Sequence, residues 1–228
     1  MDTKEVLGAY CRLMERIKQR TDIILNLADN SSGLPDFCAV ETQQLQIRMI
    51  CETLAIGCLL VHRDVEGARS SKLASAYQAD FIMNALEKLH PRFYPHPVKE
   101  VFRDGKLIGF DDLKDGFLTK DELLKSYRGA AQFLHAGDIS DFLAGKERSL
   151  DTDAAKQWVK RLIVLLNLHK IALADAPDAW EGREQPRFTD GEPAPRFQLF
   201  VSMRREDTDR PAASIFESIG QGPMTPPI

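Results

Sequence analysis

The chain has 228 residues, 43% of them apolar, enough for one sizeable core or two small ones. Thirty basic residues stand against 34 acidic ones, a formal charge of −4 that excludes a general electrostatic nucleic-acid binder while leaving room for a local basic patch. No apolar run approaches bilayer-spanning length, and the opening stretch MDTKEVLGAYCRLMERIKQR is charged throughout with no apolar leader, so a cytoplasmic protein without a membrane partner is expected.

In chain order, residues 3–29 predict a first helix. Val6, Tyr10, Leu13, Ile17, Ile24 and Leu27 fall on one face, and Asp2 with Glu5 has the spacing of a capping box. The stretch NSSGLPD breaks the chain. A second helix is expected over about 41–64, apolar almost all round in MICETLAIGCLLV and therefore central. A third is expected over about 70–89, stopped by His90-Pro91. HPRFYPHP is an extended connector. VKEVFRDGKLIGF then reads as a β-hairpin insertion near 98–111, turning at Asp104-Gly105.

A fourth helix opens with Thr119 and Glu122 as a capping box, with Leu118 and Leu123 as its hydrophobic staple, and closes near His135 with Gly137 beyond. A fifth spans about 152–173, capped by Asp151 or Thr152, with His169 on the face of Trp158, Leu162 and Leu165. Residues 175–195 are polar and turn-rich, and RFQLFVSMRR over 196–205 alternates as a third strand would. The expectation is a single domain over 1–205, mainly α: a bundle of four to five helices with a small two- or three-stranded β-annex. Residues 206–228 read as a disordered tail whose apolar island is Ser214-Ile215-Phe216.

Few residues are placed to carry chemistry. Cys11, Cys38, Cys51 and Cys58 lack metal or redox spacing and read as reduced thiols, with no disulfide-linked partner. Arg48 and Glu52 stand four apart in the most apolar helix, as a structural ion pair or as part of a polar pocket that could take a small molecule. If the pair is buried, removing one partner should cost roughly 3–5 kcal/mol. His62 shares that stripe, but roughly 20 Å further along the axis. His169 reads as a hydrogen-bonded core histidine, and His90 and His96 lack partners for a metal site. No cofactor-binding or phosphate-cradling motif occurs.

RGAAQFLHAGD remains. Arg128 and His135 are seven apart, so a continuous helix would place both at the margin of its apolar stripe, two turns from each other. There a histidine can move a proton at a ribose hydroxyl while an arginine stabilises charge building on phosphorus.

The span RGAAQFLH resembles the R-x4–6-H pattern of HEPN-type helical proteins, many of them ribonuclease toxins or abortive-infection factors of bacteria. IRMICETLAIG, with Arg48 and Glu52, is similar to the same group, and the resemblance covers about residues 41–172. It implies a metal-independent endoribonuclease with Arg128 and His135 as catalytic residues, RNA as partner and a homodimer. Gly129, where active relatives tend to have a polar residue, the hairpin and the C-terminal strand depart from that pattern. The alternative reading is a non-catalytic helical interaction or dimerisation module.

Overall fold

The computed structural model describes residues 3–29, 33–104, 106–135, 143, 152–172, 197–204 and 211–218. Asp2, Gly105, Gly137, Asp151, the 175–195 stretch and most of the expected tail lie outside them.

The chain is mainly helical with a small antiparallel sheet. Helix α1 (Thr3–Ala28) and helix α2 (Asp36–Val61) form an antiparallel hairpin. The α1 stripe read from the sequence is the buried one: Tyr10, Ile17 and Ile24 are fully enclosed. Helix α2 begins earlier than expected, because Pro35 pre-sets the entry and Asp36 sits favourably in the first turn. It packs on α1, on α4 (Ala79–Leu89) and on α5 (Lys120–Phe133), which accounts for its apolar girth. By length and composition α2 could cross a bilayer, contrary to the reading that no run approaches that length; just over half of its most apolar stretch is buried in this fold. Gly57 permits the close α1–α2 approach, since a Cβ there would stand 3.2 Å from the Tyr10 ring.

The helix expected over 70–89 is two pieces, a single turn α3 (Ser71–Ala74) and then α4. Ser75 ends the first, its backbone N–H and its hydroxyl both donating to the Ser71 carbonyl, at 3.2 and 2.9 Å. The helix expected over 152–173 also stops short. Helix α6 (Thr152–Asn167) passes directly into a strand, so His169 is not a helical residue.

The sheet has strands β1 (His96–Arg103), β2 (Lys106–Asp112), β3 (Leu168–Ala172), β4 (Phe197–Arg204) and β5 (Pro211–Ser218), ordered β2-β1-β3-β4-β5. It is therefore wider than two or three strands. The hairpin turns where expected, with Asp104 at a φ of 51°, and a register shift falls between Val101 and Phe102. The reading of everything after 206 as disordered is corrected for Pro211–Ser218. All eight residues pair with β4, and the apolar island Ser214-Ile215-Phe216 lies within that ladder. Proline is tolerated there because β5 is an edge strand and Pro211 is its first residue.

Candidate functional site

The capping box of α5 forms as its spacing requires. Glu122 N–H donates to Thr119 Oγ1 at 3.4 Å, and Thr119 N–H donates to the Glu122 carboxylate at 3.0 Å. Leu123, Leu124, Tyr127 and Ala130 turn inward, leaving Arg128, Gly129 and Gln132 facing solvent. A Cβ built at Gly129 would meet nothing within 4 Å, so the surface beside Arg128 is open.

The far end of α5 differs from expectation. The last helical residue is Phe133, and the His135 N–H donates at 3.3 Å to the Gln132 carbonyl, an i→i−3 closure that tightens the terminus. His135 thus stands beyond the cap rather than on a continuous helical face with Arg128, and both side chains are exposed. The fold separates the other histidines from this surface. His62, His90 and His169 are buried, and His96 is half-buried against the edge of the Phe117 ring. His135 is the solvent-exposed histidine of the five in the chain.

Arg48 and Glu52 do meet, with Arg48 Nε donating to Glu52 Oε1 at 3.2 Å. A third partner comes from α5: the Tyr127 hydroxyl donates to the same carboxylate oxygen at 3.2 Å, and the Arg48 guanidinium lies 5.8 Å from the centre of the Tyr127 ring. The hydrogen bond to Glu52 holds the Arg48 pKa above its usual value, against some desolvation. Burial, with Glu52 adding to it, raises that of Tyr127. The Arg48 side chain is 34% exposed and that of Glu52 12%, so the pair is open on the arginine side rather than fully buried. It ties α2 to α5 one residue before Arg128.

His62 caps α2 at the end far from Arg48 and shares no site with it. His169 is a hydrogen-bonded core histidine, but on β3. Its Nδ1–H donates to the Leu166 carbonyl at 3.1 Å, which leaves Nε2 to accept from the Tyr10 hydroxyl at 2.8 Å. Burial holds its pKa down to about 4, so the ring is neutral at neutral pH.

Two clusters went unread in the sequence because their members are distant in it. On the sheet, Lys170 Nζ lies 2.5 Å from Asp112 Oδ1, and His96 Nε2 lies 3.8 Å from the other carboxylate oxygen. These side chains come from three adjacent strands, with His96 and Lys170 in register. Burial pushes the Lys170 ammonium down, opposed by Asp112. At the end of α2, His62 and His90 both reach the Ala172 carbonyl. The four cysteines are free thiols, Cys51 and Cys58 buried, with the Cys58 pKa pushed up to about 12 by desolvation. Among the described residues, no three His, Cys, Asp or Glu side chains are grouped to hold a metal ion. No family model, curated protein or solved structure matches this chain.

Proposed function

We propose that this chain is a HEPN-like cytoplasmic protein that cleaves RNA without metal, with Arg128 and His135 as the catalytic pair. The observation that carries the reading is the exposure of both groups at one end of α5, while three of the other histidines are committed to the interior. In this chemistry the His135 imidazole takes the proton of a ribose 2′-hydroxyl. The 2′-oxygen bonds to phosphorus as the bond from phosphorus to the 5′-oxygen breaks, and the Arg128 guanidinium stabilises the charge on the phosphoryl oxygens. The 5′-oxygen leaves as a hydroxyl with a proton from water, and the resulting hydroxide takes the proton held on the imidazolium. The negative net charge of the chain suits a small local contact better than an extended RNA groove.

The test is a panel of single-stranded RNAs incubated with the purified protein in chelator. Cleavage by the wild type is expected, with DNA left intact for want of the attacking 2′-hydroxyl. His135→Ala and Arg128→Ala should each abolish cleavage while preserving the circular dichroism spectrum. A wild type that cuts nothing, or variants that cut equally well, would remove the catalytic assignment.

A second reading is a non-catalytic module that dimerises through its helices. It is favoured by exposed apolar side chains on α2, namely Phe37, Leu45 and Ile56, and by Ile163 and Val164 on α6. Light scattering across a concentration series decides it, since a strict monomer at high concentration would dismiss self-association.

A further inference from the structure

Helix α2 ends at Val61, and its C-cap residue His62 is 2% exposed. Its backbone N–H donates to the Cys58 carbonyl at 3.1 Å. The imidazole is held between two carbonyl oxygens, with Nδ1 2.8 Å from that of Cys58 and Nε2 3.0 Å from that of Ala172. His90, the C-cap residue of α4, places its own Nε2 at 3.1 Å from the Ala172 oxygen. The two imidazoles lie 5.1 Å apart, and the Phe93 ring closes the site edge-on to His62.

A carbonyl oxygen only accepts hydrogen bonds, and a neutral imidazole has a single N–H. Neutral His62 in this position therefore turns one nitrogen lone pair toward a carbonyl lone pair at close range. The imidazolium donates at both nitrogens and satisfies both oxygens. It also places a positive charge against the last carbonyls of α2, where the helix dipole favours it. When the proton leaves, the bond to Ala172 is the one to yield. The Cys58 contact is local to the helix, and the Ala172 oxygen keeps its bond from His90.

We propose that His62 is a proton-operated clamp. Charged, it fastens the end of α2 to the last residue of β3; neutral, it releases that strand end. Burial pushes the His62 pKa below its usual value, the two carbonyl contacts pull it back up, and His90 pushes it further down. The groups facing it from the neighbouring elements are the Cys58 carbonyl on its own helix, the His90 imidazole after α4, the uncharged Phe93 ring and the Ala172 carbonyl of β3. Opposed contributions of this kind let pH set which of its two protonation states His62 occupies.

The experiment uses the full chain labelled with 15N. Ring-nitrogen shifts of the histidines are followed from pH 8 to pH 4, with amide exchange of Lys170, Ile171 and Ala172 corrected for intrinsic rates. His62 is expected to pass from one protonated nitrogen to two. Protection at those amides should rise at least about ten-fold as it does so, the size of one hydrogen bond from a charged donor. His62→Gln should abolish that pH dependence. The proposal is overturned if His62 keeps a single N–H to pH 4, or if the protection profile of His62→Gln matches that of the wild type. Should His62→Gln fail to fold by circular dichroism, the wild-type nitrogen shifts decide alone.

Discussion

At the first turn of α5, Glu122 completes the capping box and also receives both arms of Arg161 from α6, at 2.6 Å each. Arg161 further donates to the Phe117 carbonyl at 2.7 Å, and the Tyr94 hydroxyl donates to that of Leu118 at 3.0 Å. Lys120 pairs with Glu87 on α4. Toward the other end, Arg128, Gly129 and Gln132 face water, and the helix closes on the i→i−3 bond from His135 N–H to the Gln132 carbonyl at 3.3 Å. The middle is held by Tyr127 reaching the Arg48–Glu52 pair. One helix is thus anchored at its origin and open at its end, and the proposed chemistry sits at the open end. A rigid base with a solvent-exposed tip is how a scaffold presents reactive groups without burying them.

That contrast can be broken most directly at the anchored end. Arg161→Met removes a forked carboxylate contact and a carbonyl contact together. It should cost about 1–2 kcal/mol in urea unfolding, a figure kept low because both side chains are about two-fifths exposed. A loss of a few tenths would mean that the base is no better held than the tip.

Acid titration sharpens the same point. Hydrogen bonds from Arg161, and then from Thr119, hold the Glu122 carboxyl down to about 2 against an ordinary 4.5. A carboxyl depressed on folding contributes stability that is complete above the unfolded value and is lost as pH falls toward the folded one. The gap in stability between wild type and Arg161→Met should therefore be full at pH 6 and shrink steadily from about 4.5 toward 2. A gap that is constant with pH would remove Glu122 as the reason for it.

In the middle of the helix, Arg48→Met should cost only about 0.3–1 kcal/mol, as for a partly solvated pair four residues apart. The roughly 3–5 kcal/mol of a fully buried pair is not expected, since the Arg48 side chain is 34% open. A cost in that higher range would show that the centre, not the base, anchors α5.

The tip offers an effect of opposite sign. Gly129 is helical with open space at its Cβ position. Gly129→Ala should raise stability by about 0.5–1 kcal/mol, visible as a small upward shift in Tm. Destabilisation would mean that the outer face of α5 is covered.

What could be read from the sequence was what is local in the chain. Thr119 and Glu122 announce a cap three residues across, and Arg48 and Glu52 a pair one helical turn apart. The α1 stripe follows from periodicity, and the exposure of Arg128 from its place beside the apolar stripe of α5. Arg161 could not be assigned to Glu122, nor Tyr127 to Glu52, because those partners lie 39 and 75 residues away. Leu168–Ala172, LHKIA, is too short for periodicity to tell helix from strand, and pairing with β4 decides it. The proline count that suggested a disordered tail carries no information about an edge strand, where a first-residue proline loses nothing. Sequence periodicity puts His135 on the helix because it marks a face well and an end poorly.

The join between the β1–β2 hairpin and the rest of the sheet is only two residue pairs long, His96 with Lys170 and Pro97 with His169. Proline brings no N–H to that seam, whereas β4 and β5 are stitched along eight pairs. In mechanical terms the sheet is perforated along one line. Under force or thermal agitation, β1 and β2 would swing as one leaf while β3, β4 and β5 stay together. The Asp112 carboxylate on the Lys170 ammonium and the packing of Leu168 against Val98 and Phe110 close the leaf against β3, so an ion pair and a small apolar contact together stiffen the hinge.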